Sequence, residues 1–156
     1  AILGIHRWER FRGPLRIIRW GAVQKHVREL MERFEIRATG PNAPAKSLSG
    51  GNQQKVIVGR ELAKDPAVIV ASQPTRGLDV ASAKYIRELL VDMRDRGRAV
   101  LLVSADLDEV LARSDRVAIM YEGKFMTICR PAELDRATVG MLMGGVAKAT
   151  EEVCSE

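Results

Sequence analysis

The sequence predicts an α/β fold on a mainly parallel sheet, with a helical N-terminal portion. Two observations carry this. Apolar runs of strand length at 67–72, 99–104 and 116–121 are rich in Val, Ile and Leu and read as strands, the first two buried. Between them lie segments whose apolar residues recur at helical spacing. Strands alternating with helices imply crossover connections and hence parallel pairing.

The elements follow in order. From Gly21 to Phe34, Val23, Val27, Leu30, Met31 and Phe34 mark one apolar stripe of an amphipathic helix. The stretch ATGPNAPAKS, with two prolines and a glycine, ends it. A second helix is expected from near Asn52 through Val56, Val58 and Leu62 to Asp65-Pro66, followed by the strand 67–72, which Pro74 keeps from extending. Next comes a helix over Ser82–Asp95 with Ile86, Leu89, Leu90 and Met93 inward and Gly97 as its stop. AVLLVS (99–104) is the second strand, Leu107–Ala112 a short helix, and RVAIMY (116–121) the third strand. Glu122-Gly123-Lys124 turns the chain into FMTIC, and Pro131 opens a C-terminal helical stretch.

Composition sets the outer limits. Of 156 residues, 46% are apolar, 29% charged and 4% aromatic, which suits a soluble globular domain and excludes disorder. No apolar run approaches the roughly 18 residues of a membrane span, and no signal peptide is read at the start. Cys129 and Cys154 make neither a disulfide framework nor a metal site, and read as reduced thiols. The charge is uneven: residues 1–30 hold seven Arg or Lys against two Glu, while the remainder is balanced. A basic, Trp-bearing segment can grip nucleic acid or anionic lipid, but is more often a solvated or protein-docking face.

The chemistry concentrates in KSLSGGNQQKV, Lys46 to Val56. Two glycines leading into a helix let backbone approach a ligand with no Cβ in the way. The unpartnered N–H groups of the first turn and the positive end of the helix dipole converge there, and Ser49 adds a hydroxyl. This is an anion site suited to phosphate. Taken alone, Ser49-Gly50-Gly51 reads first as a plain turn with a helix cap. The full string changes that reading.

LSGGNQQK resembles the signature motif of ABC-transporter ATPases, in the form with Asn after the two glycines found in sugar and nucleoside importers. AKDPAVIVASQPTRGLDV is similar to the Walker B region and its D-loop, and AVLLVSADLDEVLARSDRVAIMYEGKF to the switch strand, its helix and the next strand. The resemblance implies a P-loop NTPase-like parallel sheet, preceded by part of the family's helical subdomain. It places that subdomain portion at 1–48, the C-terminal part of the ATPase core at 49–145 and a tail at 146–156.

The departures are as telling. The family's Walker B strand ends in an Asp for Mg²⁺ and a Glu that activates water; here those positions hold Ser72 and Gln73, which carry no charge. The switch His position is Ala105. No GxxxxGK[ST] occurs, so nothing in the chain cradles a β-phosphate. The chain thus looks like the C-terminal part of a nucleotide-binding domain lacking its Walker A strand, which is expected between 99–104 and 116–121.

ABC domains pair head to tail, each nucleotide lying between the Walker A loop of one and the signature of the other. The resemblance therefore implies a second, degenerate domain that offers Ser49, Gly50, Gly51, Asn52, Gln53 and Asp79 to a partner's ATP. Asn52 and Lys55 are expected mainly to support the loop and helix, and Asp79 also to cap the helix after it. ATP and Mg²⁺ would be bound mainly by the partner domain, and no resident metal site is expected. The implied partners are a second ATP-binding domain and membrane-embedded permease subunits, at the cytoplasmic face of the membrane. Two other classes remain as alternatives, a non-enzymatic interaction module and a nucleic-acid binder using the basic segment, although the sugar-type signature points away from nucleic acid. Alone, the chain is expected to form oligomers or exchange strands through unpaired sheet edges.

Overall fold

The computed structural model describes residues 11–12 and 17–146. Much of the basic segment (His6, Arg7, Trp8, Arg10, Arg16) and the tail from 147, with Cys154, lie outside the described residues. The helices are α1 (Trp20–Arg33), α2 (Gly50–Leu62), α3 (Val80–Asp95), α4 (Leu107–Arg113) and α5 (Arg136–Met143). The strands are β1 (Val68–Ser72), β2 (Ala99–Val103), β3 (Val117–Tyr121) and β4 (Lys124–Cys129). The chain divides between Leu101 and Leu102 into two compact units. Among the described residues, no helix is long and apolar enough to cross a membrane.

In the first unit, α1 buries Val27 and Leu30, and the chain leaves it through Phe34. Leu30, Phe34 and Ile36 meet Val56 and Leu62 of α2 and Met93 of α3, and Ile69 of β1 and Val100 of β2 pack against this cluster. β1 and β2 are paired. The Ala99 N–H donates to the Ala67 carbonyl at 3.0 Å, so the strands start at the same end and run parallel. Arg98 reaches back to Asp65 with one guanidinium nitrogen 2.7 Å from both carboxylate oxygens, joining the two strand entries.

One expectation is corrected here. β1 and β2 were expected to be buried, but each is covered on one face only. Val68, Val70, Leu101 and Val103 are 63%, 67%, 57% and 48% exposed. The helices α1–α3 supply a single layer, and alternation sends every second side chain to the other face. Ile86, Leu90 and Met93 of α3 are buried as expected; Leu89 is half-buried, with Ala83 buried in addition.

The second unit is built on an antiparallel hairpin. β3 and β4 pair from Val117 opposite Cys129 to Tyr121 opposite Lys124, with an irregularity between Ile119 and Met120. Glu122 and Gly123 turn the chain with φ of 45° and 77°. Positive φ at both central residues gives the turn whose twist matches the flanking strands. Val117, Ile119 and Met126 pack with Val139 and Leu142 of α5, and Leu107, Val110 and Leu111 border this core. In α4, Glu109 is the charged side chain buried among the described residues. β2 and β3, between which a further strand was expected, belong to separate two-stranded sheets.

Packing around Gly59 yields a stability test. A Cβ there would lie 2.8 Å from Phe34 Cδ2 and 2.9 Å from its Cγ, and the ring is only 2% exposed. Gly59→Ala is expected to cost about 1–3 kcal/mol, the range for overpacking a filled core. Gly50→Ala, with nothing within 4 Å of its Cβ position, should unfold no more readily than the parent. Thermal or urea unfolding compares them; equal loss in both variants would mean that the Phe34 ring yields freely.

Candidate functional site

Ser49 is extended, with φ −61° and ψ 157°, and is the N-cap of α2. Its Oγ accepts from the Asn52 N–H at 3.4 Å. The helix therefore starts at Gly50, two residues earlier than expected, because a capping serine lets both glycines enter the first turn. The N–H groups of Gly50 and Gly51 are among those that a helix leaves without an internal partner. Ser49 and Gly50 are exposed, and nothing lies within 4 Å of the Gly50 Cβ position. Backbone is thus open to a ligand at Gly50.

Gly51 is buried and serves the packing. A Cβ there would fall 2.2 Å from Ser82 Oγ, 2.9 Å from Ser82 Cβ and 3.3 Å from Asp79 Oδ2. The start of α2 is pressed against the start of α3, so the two expected site segments, 49–53 and Asp79, are brought together. The Gln54 amide holds the same join by donating to the Pro74 carbonyl at 3.0 Å. Sequence reasoning missed Gln54, since a glutamine one turn into a helix carries no signal of its target. Ser82 could have been read as the third residue after a capping Asp.

Asp79 caps α3. Its Oδ1 accepts from the Ser82 N–H at 2.9 Å and its Oδ2 from the Ser82 hydroxyl at 2.7 Å. These bonds, the backbone one first, hold its carboxyl below the usual Asp value. The other polar side chains near the signature are largely spent on the chain itself. Gln53 donates to the Leu48 carbonyl at 2.9 Å. Asn52 lies between the Arg37 N–H and Ser49 Oγ, at 2.8 and 2.9 Å. The Lys55 ammonium sits 4.1 Å from the Tyr85 ring centroid and donates to the Glu35 carbonyl at 3.2 Å. Lys55 is thereby turned toward Tyr85 and the Glu35 backbone. Burial raises the Tyr85 hydroxyl pKa, and the Glu35 charge adds to this.

Ser72 ends β1 exposed, and Gln73 follows half-buried in the left-handed region, with φ 48°. Their hydroxyl and amide stand at the carboxyl end of a parallel strand, where open α/β sheets place ligands. In the second unit, Ala105 is exposed in the loop before α4, next to Asp106, which caps that helix through the N–H groups of Asp108 and Glu109. The first unit thus offers hydrogen-bond donors to an anion at α2 and no anionic side chain at Ser72 or Gln73.

The Asp79 cap gives a pH test. A carboxyl whose pKa is lowered by folding stabilises the fold fully above its unfolded value of about 3.9, and this contribution is lost as pH falls through the lowered value. Asp79→Ala should therefore lower the unfolding midpoint at about pH 7, with the gap to the parent closing in strongly acidic buffer. A gap that stays constant or widens on acidification would show that the charged cap contributes nothing.

No family model matches the chain. It is 45% identical over 126 residues to the nucleoside import ATP-binding protein NupA of Lactococcus lactis subsp. cremoris, covering 81% of this chain and 25% of that protein. It is 40% identical over 131 residues to the guanosine import ATP-binding protein NupO of Bacillus subtilis, covering 84% and 26%. With the ribose import ATP-binding protein RbsA of Halalkalibacterium halodurans it shares 41% over 111 residues, covering 71% and 22%. The chain thus spans about a quarter of the length of these curated relatives. Among solved structures, an ABC transporter of metal-chelate type in an inward-facing conformation superposes with a TM-score of 0.73 at 16% identity, over 92% of this chain and 56% of that one. A bacterial ABC transporter cassette solved as a dimer gives 0.67 at 25% identity, over 83% and 54%. With identities of 40–45% over most of its length, the chain belongs to the ABC-transporter ATP-binding proteins, among relatives that are sugar and nucleoside import ATP-binding proteins.

Proposed function

We propose that this chain provides the signature half of a composite ATP site in an importer for simple sugars or nucleosides, while its own nucleotide site is degenerate. The observation that carries the reading is a divided endowment. The α2 N-terminus holds Ser49 and the Gly50 amide open and exposed, with the buried Gly51 packed behind them against Ser82 and Asp79. The positions for a magnesium acid, a base and a switch histidine hold Ser72, Gln73 and Ala105, and no phosphate loop occurs in the sequence.

In this reading a partner ATP-binding domain binds ATP and Mg²⁺ and presents the γ-phosphate to α2. Ser49 and the glycine amides meet the charge that develops on the transferred phosphoryl, where preorganised donors act most strongly. Ser72 and Gln73 face the dead site and take no proton. The helical N-terminal portion meets membrane-embedded permease subunits at the cytoplasmic face. Without these partners, the chain pairs its bare strand edges with other copies.

Two outcomes are expected. The isolated chain should not turn over ATP, and Ser72→Asp with Gln73→Glu should not confer turnover, because two new charges supply no phosphate loop to hold the substrate for attack. Mg²⁺-dependent ATPase activity in either protein, measured as phosphate release, would refute the assignment. When the chain is assembled with a domain carrying its own phosphate loop, Gly50→Asp should reduce ATP turnover by at least the roughly 10²–10³-fold typical of losing one such donor. Gln73→Ala should change it little. The opposite pattern would exchange the living and dead sites.

A further inference from the structure

The Asn52 side chain is held at both ends within the first unit. The Arg37 N–H, 2.8 Å from Asn52 Oδ1, can only donate, so the oxygen of the amide must face it. That fixes the flip of the amide and turns Nδ2 toward Ser49 Oγ at 2.9 Å. The Asn52 backbone N–H approaches the same Oγ at 3.4 Å. A serine hydroxyl has two acceptor lone pairs and one donor hydrogen. With two donors directed at its oxygen, Ser49 keeps its hydrogen to give away.

We infer that Asn52 is a positioning residue that makes Ser49 an obligate donor, matching α2 to a ligand atom that can only accept, such as a phosphate oxygen. This rests on the function proposed above and adds to it the direction of the hydrogen bond. It also links Ser49 to the segment after α1: if Arg37 moves away, the amide is free to flip and the serine is no longer fixed as a donor. Asn52 thus acts through Ser49 and does not itself touch the phosphate.

A double-mutant cycle tests this, using the chain assembled with an ATP-binding domain that carries its own phosphate loop, with Mg²⁺ and ATP as the probe. Ser49→Ala should lower turnover by about 10²–10³-fold. Asn52→Ala should lower it less, by roughly tenfold, and should have no further effect in the Ser49→Ala background, as expected for residues acting as a unit. Asn52→Asp should be worse than Asn52→Ala only while Ser49 is present, because an acceptor at that position draws the serine hydrogen inward. A readout independent of activity is proton exchange of the Asn52 side-chain amide in the ¹⁵N-labelled chain, which Ser49→Ala should accelerate. If Ser49→Ala leaves turnover intact, the function proposal falls and this inference with it. If Ser49→Ala is damaging but Asn52→Ala is equally damaging in both backgrounds, or if amide exchange ignores Ser49, the positioning role alone is overturned.

Discussion

There is no room for a methyl group between Gly51 and Ser82, and the first unit is arranged around that contact. Because Gly51 lacks a Cβ, the α2 N-terminus settles onto the α3 N-terminus, where Ser82 is already held by both oxygens of Asp79. Two helix starts, each with a polar cap, then share one edge of the fold. Gln54 closes the seam from the other side by binding the Pro74 carbonyl. The start of each helix carries partial positive charge, so setting two together is costly unless oxygens are placed among them. Asp79 supplies a full negative charge at one; Ser49 supplies a neutral oxygen at the other. The α2 start is therefore capped without a compensating negative charge of its own.

The glycines of the signature have different reasons to be glycine. Gly51 answers to packing inside the chain, whereas nothing in the chain crowds Gly50. A residue kept small without an internal cause fits a close approach from outside. Around it the longer polar groups are tied down: Gln53 to Leu48, Asn52 to Arg37 and Ser49, and Lys55 over Tyr85. Immobilised neighbours lower the ordering cost of meeting a ligand, the usual benefit of preorganisation. The arrangement is a rigid donor face with few side chains left to reorganise.

Much of this was legible in the sequence. The Ser-Gly-Gly string marked the start of α2 and GLD the cap of α3, and the alternation of strand and helix pointed to the fold class. Glu122-Gly123 announced the hairpin, since few residue pairs accept its backbone twist. The start of α2 was misplaced because glycines read as loop, while a serine cap can carry them into a helix. The one-sided burial of β1 and β2 was illegible for a deeper reason: an apolar run records the surroundings to which a strand is adapted, not the layers that cover it. Partners such as Arg37 for Asn52 and Pro74 for Gln54 are fifteen and twenty residues away in sequence. No local pattern encodes a bond to a distant backbone group.

The bare face of β1 and β2 bears on the life of the chain in a cell. Val68 and Val70 of β1 and Leu101 of β2 leave β-branched and leucine side chains exposed on neighbouring strands. Chaperones and quality-control proteases recognise such surface as the mark of unfinished folding. Abundance would then be set less by the unfolding equilibrium than by how soon after synthesis that surface is covered. A substitution that leaves every internal contact intact but slows this covering would lower the steady-state level. A genetic screen would score it as a loss of function, although the donor face at α2 was unchanged.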